Sequence, residues 1–182
     1  MKQAIIIHGW GADSTSNWFP WLADELRKTG LRVVCPDFPN TESPKLKEWI
    51  SYLNKLAKID NQTIMVGHSL GVPFILRFLE QLPKGKKIEA AFLISGFERP
   101  LGIFEIENFV KAPFNWKKIR NSCGQFFVIN SDNDPYIPLP VGKDLAKKLG
   151  AKLSVEREAG HINAPGGFLS YPRLLRMINE KI

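Results

Sequence analysis

The segment Thr63-Ile64-Met65-Val66-Gly67-His68-Ser69-Leu70-Gly71 constrains this chain more than any other. A β-rich apolar run ends in Gly-His-Ser-Leu-Gly, and Ile75, Leu76, Leu79 and Leu82 then recur at helical spacing. A serine at such a junction sits on a very tight strand-to-helix turn in a strained backbone conformation. Glycines two residues to either side remove side chains that would collide there. The turn lifts the hydroxyl above the sheet at a helix N-terminus, where free N–H groups and the helix dipole favour developing negative charge. By composition alone GxSxG arises in about one chain in twenty of this length. Its weight here comes from position, with a strand before it and an amphipathic helix after it. The plain alternative is a glycine-rich turn that only packs closely.

The rest of the chain repeats that alternation. Short apolar runs predict strands at 4–7, 31–35, 63–66, 89–95, 125–130 and 152–156. Helices are predicted at 18–28, 70–82, 139–149 and 168–179. A further helix carries Leu46, Trp49, Ile50, Leu53 and Leu56, with Ser43 as its N-cap and Pro44 in its first turn. Strands alternating with helices require crossover connections. The expected fold is α/β, a mainly parallel sheet of about six strands with helices on both faces. Residues 96–123, rich in Phe, Pro and Trp, break the rhythm and read as a small lid-like insertion within a single domain spanning 1–182.

Composition narrows the chemistry. With 44% hydrophobic residues and 20 aromatics in 182 residues, the chain has material for a packed core. The net charge of +7 is spread along the chain. Its densest clusters, Lys84-Gly85-Lys86-Lys87 and Lys117-Lys118-Ile119-Arg120, are short and carry no nucleic-acid motif, so they read as solvated surface. An acidic small substrate stays open at this point. No run approaches the roughly 18 apolar residues of a membrane span, and the N-terminus lacks a secretory pattern, which points to the cytoplasm. Two cysteines without CxxC spacing and three histidines without HExxH predict reduced thiols, no metal and no cofactor.

A serine hydroxyl needs a base to take its proton. His68 adjoins Ser69 in the turn and should point elsewhere, and His8 closes the first strand, where it supports a loop. His161, in Gly160-His161-Ile162-Asn163 just past the last strand, lies where open α/β sheets place function. The base in turn needs a carboxylate, expected between serine and histidine in chain order. Asp134, stiffened by Pro135, is favoured, with Asp132 as the alternative. Backbone N–H groups of Leu70 and of Trp10, in His8-Gly9-Trp10-Gly11, are the candidate oxyanion donors.

These residues resemble the small serine hydrolases related to retinoblastoma-binding protein nine, a compact branch of the α/β-hydrolase superfamily. The resemblance covers essentially the whole chain: the His8-Gly9 loop, Asp37-Phe38-Pro39-Asn40 with Pro44 and Trp49, the Gly67–Gly71 elbow, Asn133-Asp134-Pro135-Tyr136, and Gly160-His161-Ile162-Asn163-Ala164. It implies a catalytic triad of Ser69, Asp134 and His161, supports Asp134 over Asp132, and implies a sheet lacking the first strands of larger relatives. It also implies a carboxylesterase-like activity on a small-molecule acyl substrate through an acyl-enzyme. A thioesterase, amidase or acyltransferase would use the same parts. The alternative from another class is a protein-binding module that keeps the fold without turnover. Phe104, Phe109, Phe114 and Trp116 are candidates to line an acyl site, or else to pack the core.

Overall fold

The computed structural model describes residues 2–181. Six strands form one sheet: β1 (Gln3–Ile7), β2 (Arg32–Val34), β3 (Thr63–His68), β4 (Ile88–Ile94), β5 (Cys123–Ser131) and β6 (Lys152–Glu156). Their spatial order is β2-β1-β3-β4-β5-β6, and every neighbouring pair is parallel. Helices α1 (Phe19–Lys28) and α6 (Pro172–Asn179) cover one face. The other is covered by α2 (Leu46–Leu56), α3 (Gly71–Gln81), α4 (Trp116–Asn121) and α5 (Leu139–Leu149).

Alternation along the strands feeds both layers. Ile5, Ile7, Met65, Leu93 and Val128 pack toward α2–α5, while Ala4, Ile6, Ile64, Val66, Phe92 and Ile94 pack toward α1 and α6. Both sets are buried, which is why these strands read as continuous apolar runs rather than alternating ones.

The order reverses between β1 and β3. β1 connects outward to β2, and the chain then crosses back to place β3 on the other side of β1. Helices therefore leave on opposite sides there, opening a crevice beyond the strand C-termini, where such sheets bind ligands. The β1–β3 register, running from Gln3 opposite Thr63 to Ile7 opposite Gly67, delivers the His8-Gly9 loop to the same edge as Ser69.

Three boundaries differ from expectation for physical reasons. Ser43 does not cap α2, which starts at Leu46 after extended Lys45. The Leu46 N–H donates instead to Asn108 Oδ1 at 2.8 Å, and Asn108 Nδ2 donates to the Pro44 carbonyl, so the cap comes from 62 residues away. The last helix starts at Pro172, because Phe168 belongs to the turn that closes on Asn163. Within 96–123, a 3-10 segment at Phe104–Phe109 precedes α4, which packs on α3 and α5 and leads into β5. The final part of that stretch is thus the ordinary crossover helix.

Candidate active site

The elbow follows from the glycines. A Cβ on Gly67 would lie 2.8 Å from the Gly71 carbonyl oxygen, and one on Gly71 would run into the Ile7 carbonyl oxygen. Only bare Cα atoms let the start of α3 press against the ends of β1 and β3. Between them Ser69 takes a left-handed φ of 54°, a strained value for a non-glycine residue. Its N–H donates to the Ile94 carbonyl of β4, which fixes the turn to the sheet. The side chain is half-exposed, and its hydroxyl makes no hydrogen bond among the described residues.

Asp134 and His161 meet. His161 Nδ1 lies 2.8 Å from Asp134 Oδ2, and both residues are largely buried. The other carboxylate oxygen, Oδ1, accepts from the Tyr136 and Ile137 backbone N–H groups at 2.9 and 3.0 Å. Both oxygens thus have partners, and the turn after Pro135 holds the carboxylate. Such an acceptor keeps Nδ1 protonated and leaves Nε2 as the free acceptor of the ring.

Three neighbours build the rest of this contact, and sequence reasoning missed two of them, Ser131 and Asn133. Ser131 Oγ accepts from the Ala159 N–H, Asp132 Oδ1 from the Glu158 N–H and Asn133 Oδ1 from the Gly160 N–H, at 3.1, 2.8 and 2.8 Å. Residues 131–134 therefore grip residues 158–161 through one side chain each. The β5–β6 register, with Ser131 opposite Glu156, aligns the two loops for this. Asp132, the alternative acid, is used up in backbone support. The available signal was the unbroken polar run Asn130–Asp134 directly after an apolar strand.

The histidine loop is also tied to the elbow. His68 Nε2 and Ser95 Oγ both donate to the His161 carbonyl, at 2.9 and 3.2 Å, and Trp18 Nε1 donates to the next carbonyl, of Ile162. The His68 and His161 rings pack edge-on with centroids 4.9 Å apart. Burial, reinforced by His161 alongside, pushes the His68 pKa down to about 3, so this ring stays neutral. Burial lowers the His8 pKa as well. Its Nδ1–H donates to the Gly9 carbonyl and its Nε2 accepts from the Phe38 N–H, which makes it a loop support.

The predicted oxyanion donors lie on either side of this turn. Leu70 is the N-cap of α3, and Trp10 follows Gly9, where a Cβ would stand 3.2 Å from Ser69 Cβ. Neither the Leu70 nor the Trp10 backbone N–H finds a protein acceptor among the described residues. Of the candidate acyl-site aromatics, Phe109 is core against Trp49, Phe114 stacks under Arg77, and Trp116 packs on Phe114, while Phe104 is exposed. Among the described residues no cluster of His, Cys, Asp or Glu could hold a metal ion, and no helix is long and apolar enough to cross a membrane. Burial pushes the thiols of Cys35 and Cys123 up to about 12.

Known proteins match this chain over most of its length. It is 37% identical over 173 residues to YdeN of Bacillus subtilis (strain 168), covering 94% of this chain and 91% of that one. The crystal structure of that ydeN gene product superposes with a TM-score of 0.95 at 34% identity, covering 100% of this chain and 98% of the other. Serine hydrolase RBBP9 of Rattus norvegicus is 25% identical over 164 residues, covering 87% and 86% of the two chains. The sheet, with its six parallel strands and its elbow after β3, is that of an α/β-hydrolase. The family described as serine hydrolase matches residues 4–180, and with the elbow serine in place the chain belongs to it.

Proposed function

We propose that the protein cleaves a small ester or related acyl compound through an acyl-enzyme on Ser69. The observation that carries this reading is the 2.8 Å contact of His161 Nδ1 with Asp134, in a loop whose carbonyl is bonded by the residue next to Ser69. Asp134 fixes the tautomer that leaves His161 Nε2 free to take the serine proton. Ser69 Oγ then attacks the acyl carbon, and the Leu70 and Trp10 amides take up the oxyanion. Each such donor contributes about 100- to 1,000-fold in rate. His161 returns the proton to the leaving group, and water repeats the sequence to release the acid. The hydroxyl is unpaired in the free protein, as catalytic contacts often are before substrate closes them.

The test is pre-steady-state hydrolysis of p-nitrophenyl acetate. A burst of p-nitrophenol with one acetyl group located on Ser69 by peptide mass, absent in Ser69→Ala, is the expected result. Linear release with no acylated serine would contradict it.

A further inference from the structure

The loops around Ser69 differ in charge from the rest of the protein. Of the loops that leave the strand C-termini, the one after β4 carries Glu98 and Arg99, and four others frame Ser69: residues 8–18, 36–44, 132–138 and 158–171. They hold Asp13, Asp37, Glu42, Asp132, Asp134 and Glu158, and not one lysine or arginine. The 25 basic residues that give the chain its net +7 all lie outside these four loops. The cations nearest them along the chain are Lys45, Arg157 and Arg173, the last paired with Glu156, and Arg99 stands on the loop after β4. Arg99 is taken up by Glu98 and Asp144, and Lys45 shares its cavity with Glu42 and Glu48. The two lysine clusters at 84–87 and 117–120 come together instead in a cavity of about 610 Å³ lined by the turn before β4 and by α4, on the opposite edge of the sheet.

Two aromatic rings stand exposed on the same edge as Ser69. Trp10 is 40% exposed, and its indole is held by donation from Nε1 to the Glu42 carbonyl at 3.0 Å. Tyr136 is 63% exposed, with its ring edge-on to His161 at 5.1 Å between centroids. In sheet order β1, which leads to Trp10, and β5, which leads to Tyr136, lie on opposite sides of β3. The Glu42 carboxylate sits beside Gly11, the residue after Trp10, 3.1 Å from where a Gly11 Cβ would stand.

On the serine-hydrolase reading of this site, we propose that it selects acyl compounds carrying a cationic group and rejects anionic ones. The faces of Trp10 and Tyr136 dock the cation, and Glu42 is its counter-ion. An ammonium group loses little by leaving water for an aromatic face, because the ring quadrupole attracts it. A single-sign rim also concentrates ligands of the opposite charge and repels those of its own. A carboxylate substrate would meet no fixed cation among these loops and would pay for approaching six acidic residues.

The test uses three phosphonate esters that differ only in the leaving group: a trimethylammonium-ethyl ester, its uncharged 3,3-dimethylbutyl isostere, and a carboxyethyl ester. Labelling rates of the full chain are read by intact mass at low and at high salt. The expected order at low salt is cationic, neutral, anionic, with about tenfold between the first two. That ratio shrinks at high salt and falls toward one in Glu42→Gln and in Trp10→Leu, the latter keeping its backbone N–H. Equal rates for the cationic and neutral esters, or a faster anionic ester, would overturn the proposal while leaving the hydrolase reading intact. If none of the three labels Ser69, the hydrolase reading fails and the selectivity falls with it.

Discussion

Asp134 has two tasks at once, accepting from two backbone amides with one oxygen and from the imidazole with the other. Asp134→Asn keeps the first and spoils the second. An amide Nδ2 facing His161 would require Nδ1 to become the acceptor, which moves the proton to Nε2, where the base must be empty. The expected loss is about 10,000-fold in turnover with the thermal midpoint nearly unchanged, checked by steady-state kinetics beside calorimetry. A collapse of the midpoint would mean that the carboxylate chiefly holds the turn. The three residues before Asp134 show what sequence could not reveal. The pairing of Asp134 with His161 was legible, because the chain order of the three candidate residues pointed to it. That Ser131, Asp132 and Asn133 each take one amide of the facing loop depends on β5–β6 register, which no local pattern specifies.

At the scale of elements, the strand and helix runs were legible because both sheet faces are covered, so burial writes itself into uniform apolar strands and one-sided helices. What was hidden lies at element ends. The α2 cap comes from Asn108, where reading along the chain gave Ser43, because a tertiary donor or acceptor leaves no local signature. Asn108→Ala should cost about 1 kcal/mol, the usual value of a lost cap. It should also raise amide exchange at the start of α2 without altering the α3 amides, measured by urea unfolding and hydrogen exchange. The elbow makes a harder demand. Gly71→Ala places a methyl group against the Ile7 carbonyl oxygen, which is backbone and has little freedom to yield. The expected cost is at least about 1–3 kcal/mol together with loss of Ser69 reactivity, since β1 and α3 must part to admit it. An unchanged urea midpoint would contradict the close approach.

For the whole molecule, His68 links stability to pH. Its folded pKa is lowered by burial to about 3, against 6.5 for an ordinary histidine. Between those values the unfolded chain binds a proton that the folded chain excludes, so stability rises with pH across this window. The contribution is complete above about pH 6.5 and is lost as pH falls toward 3. His8, lowered by the same cause, adds in the same direction. Urea midpoints measured from pH 7 to pH 4 should fall, and His68→Gln should flatten part of that slope; an unchanged slope would show that His68 is not the linked group.

The proposed hydrolysis requires an activated serine at the elbow, and the most direct measurement is reaction with a fluorophosphonate read by intact mass. Wild-type protein should gain one adduct and Ser69→Ala none, with Asp134→Asn labelling far more slowly than wild type. A folded wild type that stays unlabelled, or an adduct that persists in Ser69→Ala, would contradict the assignment of Ser69, Asp134 and His161 as one catalytic unit.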